Sequence, residues 1–176
     1  MCPTAIETER LILRAPIPAD AQSIFNAYAQ DPEVTRYLTW QPHQSVADAE
    51  RVIANSIAAW EQGTSFPYVI KLNDSGQVIG MIRVNIDRFK VELGYVLARA
   101  YWRKGYMTEA VRGVIDWAFT QPHIYRVAAV CDVENAASAR VMEKAGMKRE
   151  GVHKRYTVHP NISDEPRDCY SYAATK

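Results

Sequence analysis

The sequence predicts a mixed α/β fold, one mostly antiparallel sheet with a parallel pair and helices packed against it. Two patterns predict this. In the middle of the chain the apolar period is two, over residues 66–72, 78–86 and 91–97, so three strands follow one another through short turns. Beyond residue 97 the order becomes strand, long helix, strand, which calls for parallel neighbours joined by a right-handed crossover. No repeat, low-complexity tract or Gly/Ser/Pro-rich linker divides the 176 residues. That length suits one hydrophobic core, so residues 1–176 are read as a single domain.

Leu11, Ile12 and Leu13 read as a first short strand, stopped by Pro16 and Pro18. Ala21, Ile24, Phe25 and Tyr28 then follow helical spacing, and Asp31-Pro32 ends that helix. Ser45 is the expected N-cap of a second helix, which carries Val46, Ala49, Ile53, Ile57 and Trp60 and closes at Gly63. After the three period-two strands, Met107, Ala110, Val111, Val114, Ile115 and Ala118 mark a long helix from about Tyr106. Residues 124–131 read as a strand buried on both faces. A helix from Ala136 to Ala145 stops at Gly146, and strands near 147–153 and 168–174 flank a loop containing His159.

A formal charge of +1, from 21 Lys+Arg against 20 Asp+Glu, excludes the strongly basic character of proteins that bind nucleic acid directly and without specificity. No stretch reaches about 18 apolar residues, so no membrane span is expected. The segment M-C-P-T-A-I-E-T-E-R holds two Glu and no apolar run, so no signal peptide is expected and the chain is read as cytoplasmic. Cys2, Cys131 and Cys169 are far apart and odd in number, which fits reduced thiols. His43, His123, His153 and His159 form no ligand spacing, so no metal is expected.

Chemistry concentrates in residues 91–119, a strand, a short loop and a long helix. The loop brings Arg103, Lys104 and Gly105 to a helix N-terminus, where unpaired N–H groups and the helix dipole favour an anion. The alternative is two solvated cations around a turn-forming glycine. No G-x-x-x-x-G-K-[ST] or G-x-G-x-x-G string is present.

Residues 102–110 resemble the coenzyme A pyrophosphate loop of the GNAT N-acetyltransferases, most similarly the ribosomal-protein-alanine N-acetyltransferases of the RimJ/RimL type. T-E-R-L-I-L-R at 8–14, Y-L-T-W-Q-P-H at 37–43, E-L-G-Y-V-L at 92–97 and N-A-A-S-A-R-V-M-E-K-A-G-M-K-R-E-G at 135–151 extend the resemblance over nearly the whole chain. It implies the GNAT (acyl-CoA N-acyltransferase) fold, with a splayed parallel pair mid-sheet, helices on both faces and two helices after the first strand. It also implies acetyl-CoA as co-substrate. Its pyrophosphate would rest on the amides of Arg103, Lys104, Gly105, Tyr106, Met107 and Thr108. Its pantetheine arm would pair with the backbone of Tyr95, Val96 and Leu97, and Asn135 would touch the arm or simply cap its helix.

The acceptor is expected to be an amine, either a peptide N-terminus or a small molecule such as a polyamine, amino acid or drug. A CoA-binding sensor without activity is the alternative, and the chain is expected to be a monomer or homodimer. Acetyl transfer by direct attack needs a neutral amine, an oxyanion donor and a proton for the thiolate. Glu92, set between apolar strand residues, is the candidate base, with a solvent-facing charge as the other reading. The N–H of Val96 or Leu97 is the candidate oxyanion donor. The resemblance would place an acid Tyr where this chain has Met142, but the RimL-like branch carries a Ser earlier in that helix, and Ser138 matches it as the candidate acid. Trp102 and Met107 also depart from the family's loop pattern. The resemblance implies an acceptor channel flanked by the segment between the first two helices and the C-terminal loop, which makes Tyr37, Trp40 and His159 the candidate acceptor contacts. Asp164, Glu165 and Asp168 would suit a cationic acceptor, Arg155 and Arg167 an anionic one.

Overall fold

The N-terminal segment holds a strand that no sequence period revealed. In the computed structural model, which describes residues 2–176, β1 (Ala5–Glu7) pairs antiparallel with β2 (Leu11–Arg14). Three residues with only Ile6 turned inward are too few to display a period. Next comes α1 (Asp20–Ile24), continued by a π-helical turn over Phe25–Ala29. Asp31-Pro32 ends that run and also starts α2 (Pro32–Thr35): an Asp31 carboxylate oxygen accepts from the Glu33 N–H at 2.9 Å, and Pro32 has no N–H to lose. Three helical segments therefore follow the first strands rather than two. The last of them, α3 (Val46–Gln62), starts at a capping box of Ser45 and Asp48 and stops at Gly63, whose φ is 66°.

The three central strands, β3 (Phe66–Leu72), β4 (Val78–Asp87) and β5 (Lys90–Leu97), form the expected antiparallel meander. After them come α4 (Tyr106–Thr120), β6 (Arg126–Asp132), α5 (Ala136–Lys144), β7 (Lys148–Thr157) and β8 (Arg167–Thr175). The eight strands make one sheet in the order β1-β2-β3-β4-β5-β6-β8-β7.

Helices cover both faces of the sheet. Ile24, Tyr28 and Ile53 from α1–α3 pack with Val69 and Val78 on one face, while Val111 and Val114 of α4 and Met142 of α5 pack with Ile82, Val84 and Leu93 on the other. The one parallel pair is β5–β6, and it is paired only from Lys90–Leu93 to Arg126–Ala129. Beyond Leu93 the strands separate into a wedge. β6 is consequently not buried on both faces: Val127, Ala129 and Cys131 are buried, but Val130 on the opposite face is 39% exposed because it lines the opening. No helix among the described residues is long and apolar enough to cross a membrane.

Candidate active site

The turn before α4 is shaped by two left-handed residues, Arg103 (φ 61°) and Gly105 (φ 83°). Arg103, Lys104 and Gly105 donate no backbone hydrogen bond within the described residues, and the first intrahelical bond runs from the Glu109 N–H to the Gly105 carbonyl at 3.0 Å. Tyr106, Met107 and Thr108 occupy the first helical turn, whose N–H groups lack intrahelical acceptors, and no side chain caps them. Six consecutive amides are thus free at the positive end of a 15-residue helix. Arg103 and Lys104 stand exposed beside them, with no ion pair among the described residues. The Met107 side chain, 4% exposed, points into the core and leaves the loop clear.

The free edge of β5 leads from this loop into the wedge. Ala98 N–H donates to the Ile79 carbonyl at 2.8 Å, so the alternation of an antiparallel ladder also turns the backbone groups of Val96 and Gly94 toward β4. Those of Tyr95 and Leu97 face the gap. Of the three backbone partners expected, Val96 is therefore already engaged, and the same geometry removes its N–H as an oxyanion donor. The Leu97 carbonyl is held by the Trp102 indole N–H at 2.7 Å, which leaves the Leu97 N–H and both Tyr95 groups.

Where the wedge opens, the Tyr95 hydroxyl meets Ser138 Oγ at 2.8 Å. Burial pushes the Tyr95 phenol far above its ordinary range, so it stays protonated. Cys131 is close by and also stays protonated, its thiol pushed up to about 12 by burial. Asn135 caps α5, its Oδ1 accepting from the Ser138 N–H at 3.1 Å, and it lines the cleft as well. Met142 is fully buried beneath α5 and does not reach this space. Glu92 lies apart from the pair. It lines a smaller adjoining cavity of roughly 330 Å³, and its carboxylate, 55% exposed, is paired with Lys90 at 2.8 Å.

The wedge continues into a cleft of roughly 910 Å³ bounded by the α2–α3 loop, α3, β4, β5 and the β7–β8 loop. Tyr37, Trp40 and His159 all line it. Trp40 packs against His43 with ring centroids 5.0 Å apart and planes tilted by 40°, and Asn161 holds the Trp40 and Thr35 carbonyls at 2.8 and 2.7 Å. His159 is a wall residue, 5% exposed, with Nε2 3.7 Å from Asp132. Burial works against the Asp132 carboxylate, but hydrogen bonds from Arg167 and the Glu134 N–H outweigh it and hold its pKa below the ordinary value. The loop acids do not border the cleft. Asp168 is bound to Lys154 and the Arg155 N–H, and Glu165 to Arg155.

A helix start with unpaired amides thus follows one end of a free strand edge whose other end borders a cleft. Residues 10–148 match the family described as the acetyltransferase (GNAT) domain. The chain belongs to that GNAT family. The N-acetyltransferase YoaA of Bacillus subtilis is 30% identical over 174 residues, 97% of this chain and 96% of its own. The Escherichia coli alanine N-acetyltransferase of ribosomal protein uS5 is 25% identical over 164 residues, 87% of this chain and 82% of its own. The crystal structure of a GNAT acetyltransferase from Bacillus anthracis matches with a TM-score of 0.84 at 28% identity, covering 97% of this chain and 98% of that one. The chain is accordingly an acetyl-CoA-dependent N-acetyltransferase.

Within this GNAT site, one group of residues had no assigned task in the sequence. Arg10, in T-E-R-L-I-L-R, donates from Nε to Glu109 at 2.7 Å and from Nη1 to the Lys104 carbonyl at 3.1 Å, and its guanidinium lies 4.4 Å from the Tyr106 ring centroid. It braces the amide loop from the turn between β1 and β2. A Glu in the first turn of the helix and an Arg about a hundred residues earlier were the only signal, and a single sequence does not link them.

Proposed function

We propose that this enzyme transfers the acetyl group to the α-amine of a peptide or protein N-terminus by direct attack, with both substrates bound together. The observation that carries the reading is the free edge of β5, with six unpartnered amides beyond one end and a cleft large enough for a peptide end at the other. The E. coli relative named above, which modifies a ribosomal-protein alanine, supports the choice of acceptor.

Acetyl-CoA fits the donor half of the path. Its pyrophosphate suits the amides from Arg103 to Thr108, and an amide-bearing arm suits the Tyr95 and Leu97 edge, as an added strand does. The thioester, when bound, supplies an activated acyl group, and the chain supplies the rest. An α-amine, with a pKa of about 8, is partly neutral at pH 7, unlike a lysine amine. Glu92 takes the remaining proton through water in the cavity that adjoins the cleft. The Leu97 N–H is the oxyanion donor. Ser138, held by Tyr95, donates to the departing sulfur. That step asks little of the enzyme, because a thiol pKa of about 8.5 makes the thiolate a tolerable leaving group. The thiols need no disulfide partner, and we place the enzyme in the cytoplasm.

The test is an acceptor screen with mass detection, ribosomal-protein N-terminal peptides against small amines. A mass increase of one acetyl group on a peptide α-amine, with matching CoA release, is the expected result. Turnover confined to small amines moves the acceptor assignment to them, and absence of turnover together with absence of acetyl-CoA binding removes the reading.

A further inference from the structure

The charged residues around the acceptor side are neutralised in pairs, with one exception. Asp48 and Arg51 pair at 2.8 Å, Lys90 and Glu92 pair at 2.8 Å, and Arg126 pairs with Glu150. Arg83 has no ion pair and no hydrogen bond among the described residues, yet it lines both the large cleft and the smaller cavity. Its position follows from the sheet. Arg83 opposes Gly94 in the β4–β5 register, and Gly94 is the first residue of β5 beyond the last β5–β6 pair at Leu93. Because Gly94 has no side chain, the guanidinium reaches over β5, with Nη2 3.8 Å from where a Cβ would stand.

We propose that the acceptor carries an oxyanion, a carboxylate or a phosphate, near its amine, and that Arg83 binds it at the mouth of the wedge. The inference rests on the acetyltransferase reading and refines the class of acceptor. An unpaired guanidinium offers a planar fork of donors matched to two oxygens, and such a contact is specific in geometry as well as charge. The surroundings exclude the opposite class. A polyamine or other polycation would meet one uncompensated positive charge and no uncompensated carboxylate, since Asp48 and Glu92 are both paired. The acids of the C-terminal loop offer no substitute, because they lie outside both cavities.

The test compares matched acceptors that differ in one charge: a peptide with Asp or Glu next to its N-terminal residue against the Asn or Gln form, an amino acid against its amide, and phosphoethanolamine against ethanolamine. Expected is a kcat/KM ratio favouring the charged member in at least one pair, the pair itself identifying carboxylate or phosphate as the source. In Arg83→Gln that ratio falls about 10- to 100-fold through KM, and Arg83→Lys restores part of it. Acetyl-CoA affinity, titrated separately without an acceptor, stays at the wild-type value. Uncharged members used as well as charged ones, no turnover of any charged member, or an Arg83→Gln ratio equal to wild type overturns the inference. Loss of acetyl-CoA affinity in Arg83→Gln overturns it too, by moving Arg83 to the donor side. Neutral amines acetylated with no preference leave the acetyltransferase reading standing. Failure of wild-type protein to bind acetyl-CoA takes both away.

Discussion

A carboxylate in the first turn of α4 would repel the anion proposed to sit at the same helix start, and Glu109 is tolerated there because it is saturated. Thr8 Oγ1 and the Arg10 N–H donate to one oxygen at 2.6 and 2.7 Å, and Arg10 Nε donates to the other. Burial raises its pKa, but these bonds outweigh burial and hold it below the ordinary 4.5. A depressed folded pKa contributes stability above the unfolded pKa and loses it as pH falls through the folded value. Glu109→Gln is therefore expected to destabilise by about 1–2 kcal/mol at pH 7, and the gap to wild type should narrow as pH falls below the ordinary 4.5 in urea titrations. A gap independent of pH would show that the charge of Glu109 is irrelevant. Glu92 poses the reverse case, an exposed carboxylate proposed as a base. Glu92→Gln should lower kcat about 10- to 100-fold at pH 7, with the deficit shrinking above pH ~8 as the α-amine deprotonates unaided. An unchanged rate and pH profile would leave the amine to lose its proton directly to solvent.

Among the elements, β4 and β5 are held closer than side chains allow. A Cβ on Gly80 would stand 2.3 Å from the Val96 carbonyl, a backbone atom that cannot swing away. Gly80→Ala should therefore push β5 outward at the point where its edge faces the wedge, costing roughly 1–3 kcal/mol. A weaker acetyl-CoA affinity should accompany the lower Tm, and unaltered affinity would mean that β5 keeps its place. The meander of β3, β4 and β5 was legible from sequence because a half-buried strand alternates and residues 73–76 supply a turn. Helices α3 and α4 were legible from their stripes and caps. β1 and α2 were not, since elements of three and four residues show no period and owe their shape to neighbours. The same limit hid the contacts of Arg10 and the role proposed for Arg83. The amide loop could be read from a local string, whereas a guanidinium that acts across strands or across the sheet is set by register, which one sequence does not display.

At the scale of the molecule, the wedge makes the sheet two blocks joined by a short seam. β1–β5 and β6–β8 share four register pairs, Lys90–Leu93 against Arg126–Ala129, together with packing of α4 on both. The proposed donor path runs across that seam: the amide loop and β5 belong to the first block, Asn135 and Ser138 to the second. A ligand touching both blocks should couple them, whereas one held only by the loop should not. Hydrogen exchange with acetyl-CoA at 100 Kd, where binding adds about 2.7 kcal/mol, should slow the amides of 103–108, those of Tyr95 and Leu97, and those of β6 and the start of α5. ADP carries the pyrophosphate without the arm, so it should protect 103–108 and leave β6 and α5 unchanged. Equal protection of β6 by both ligands would mean that the loop alone tightens the seam. No protection of β6 by either would mean that the arm does not bridge the wedge, and Asn135 and Ser138 would then lose their proposed contacts with the donor.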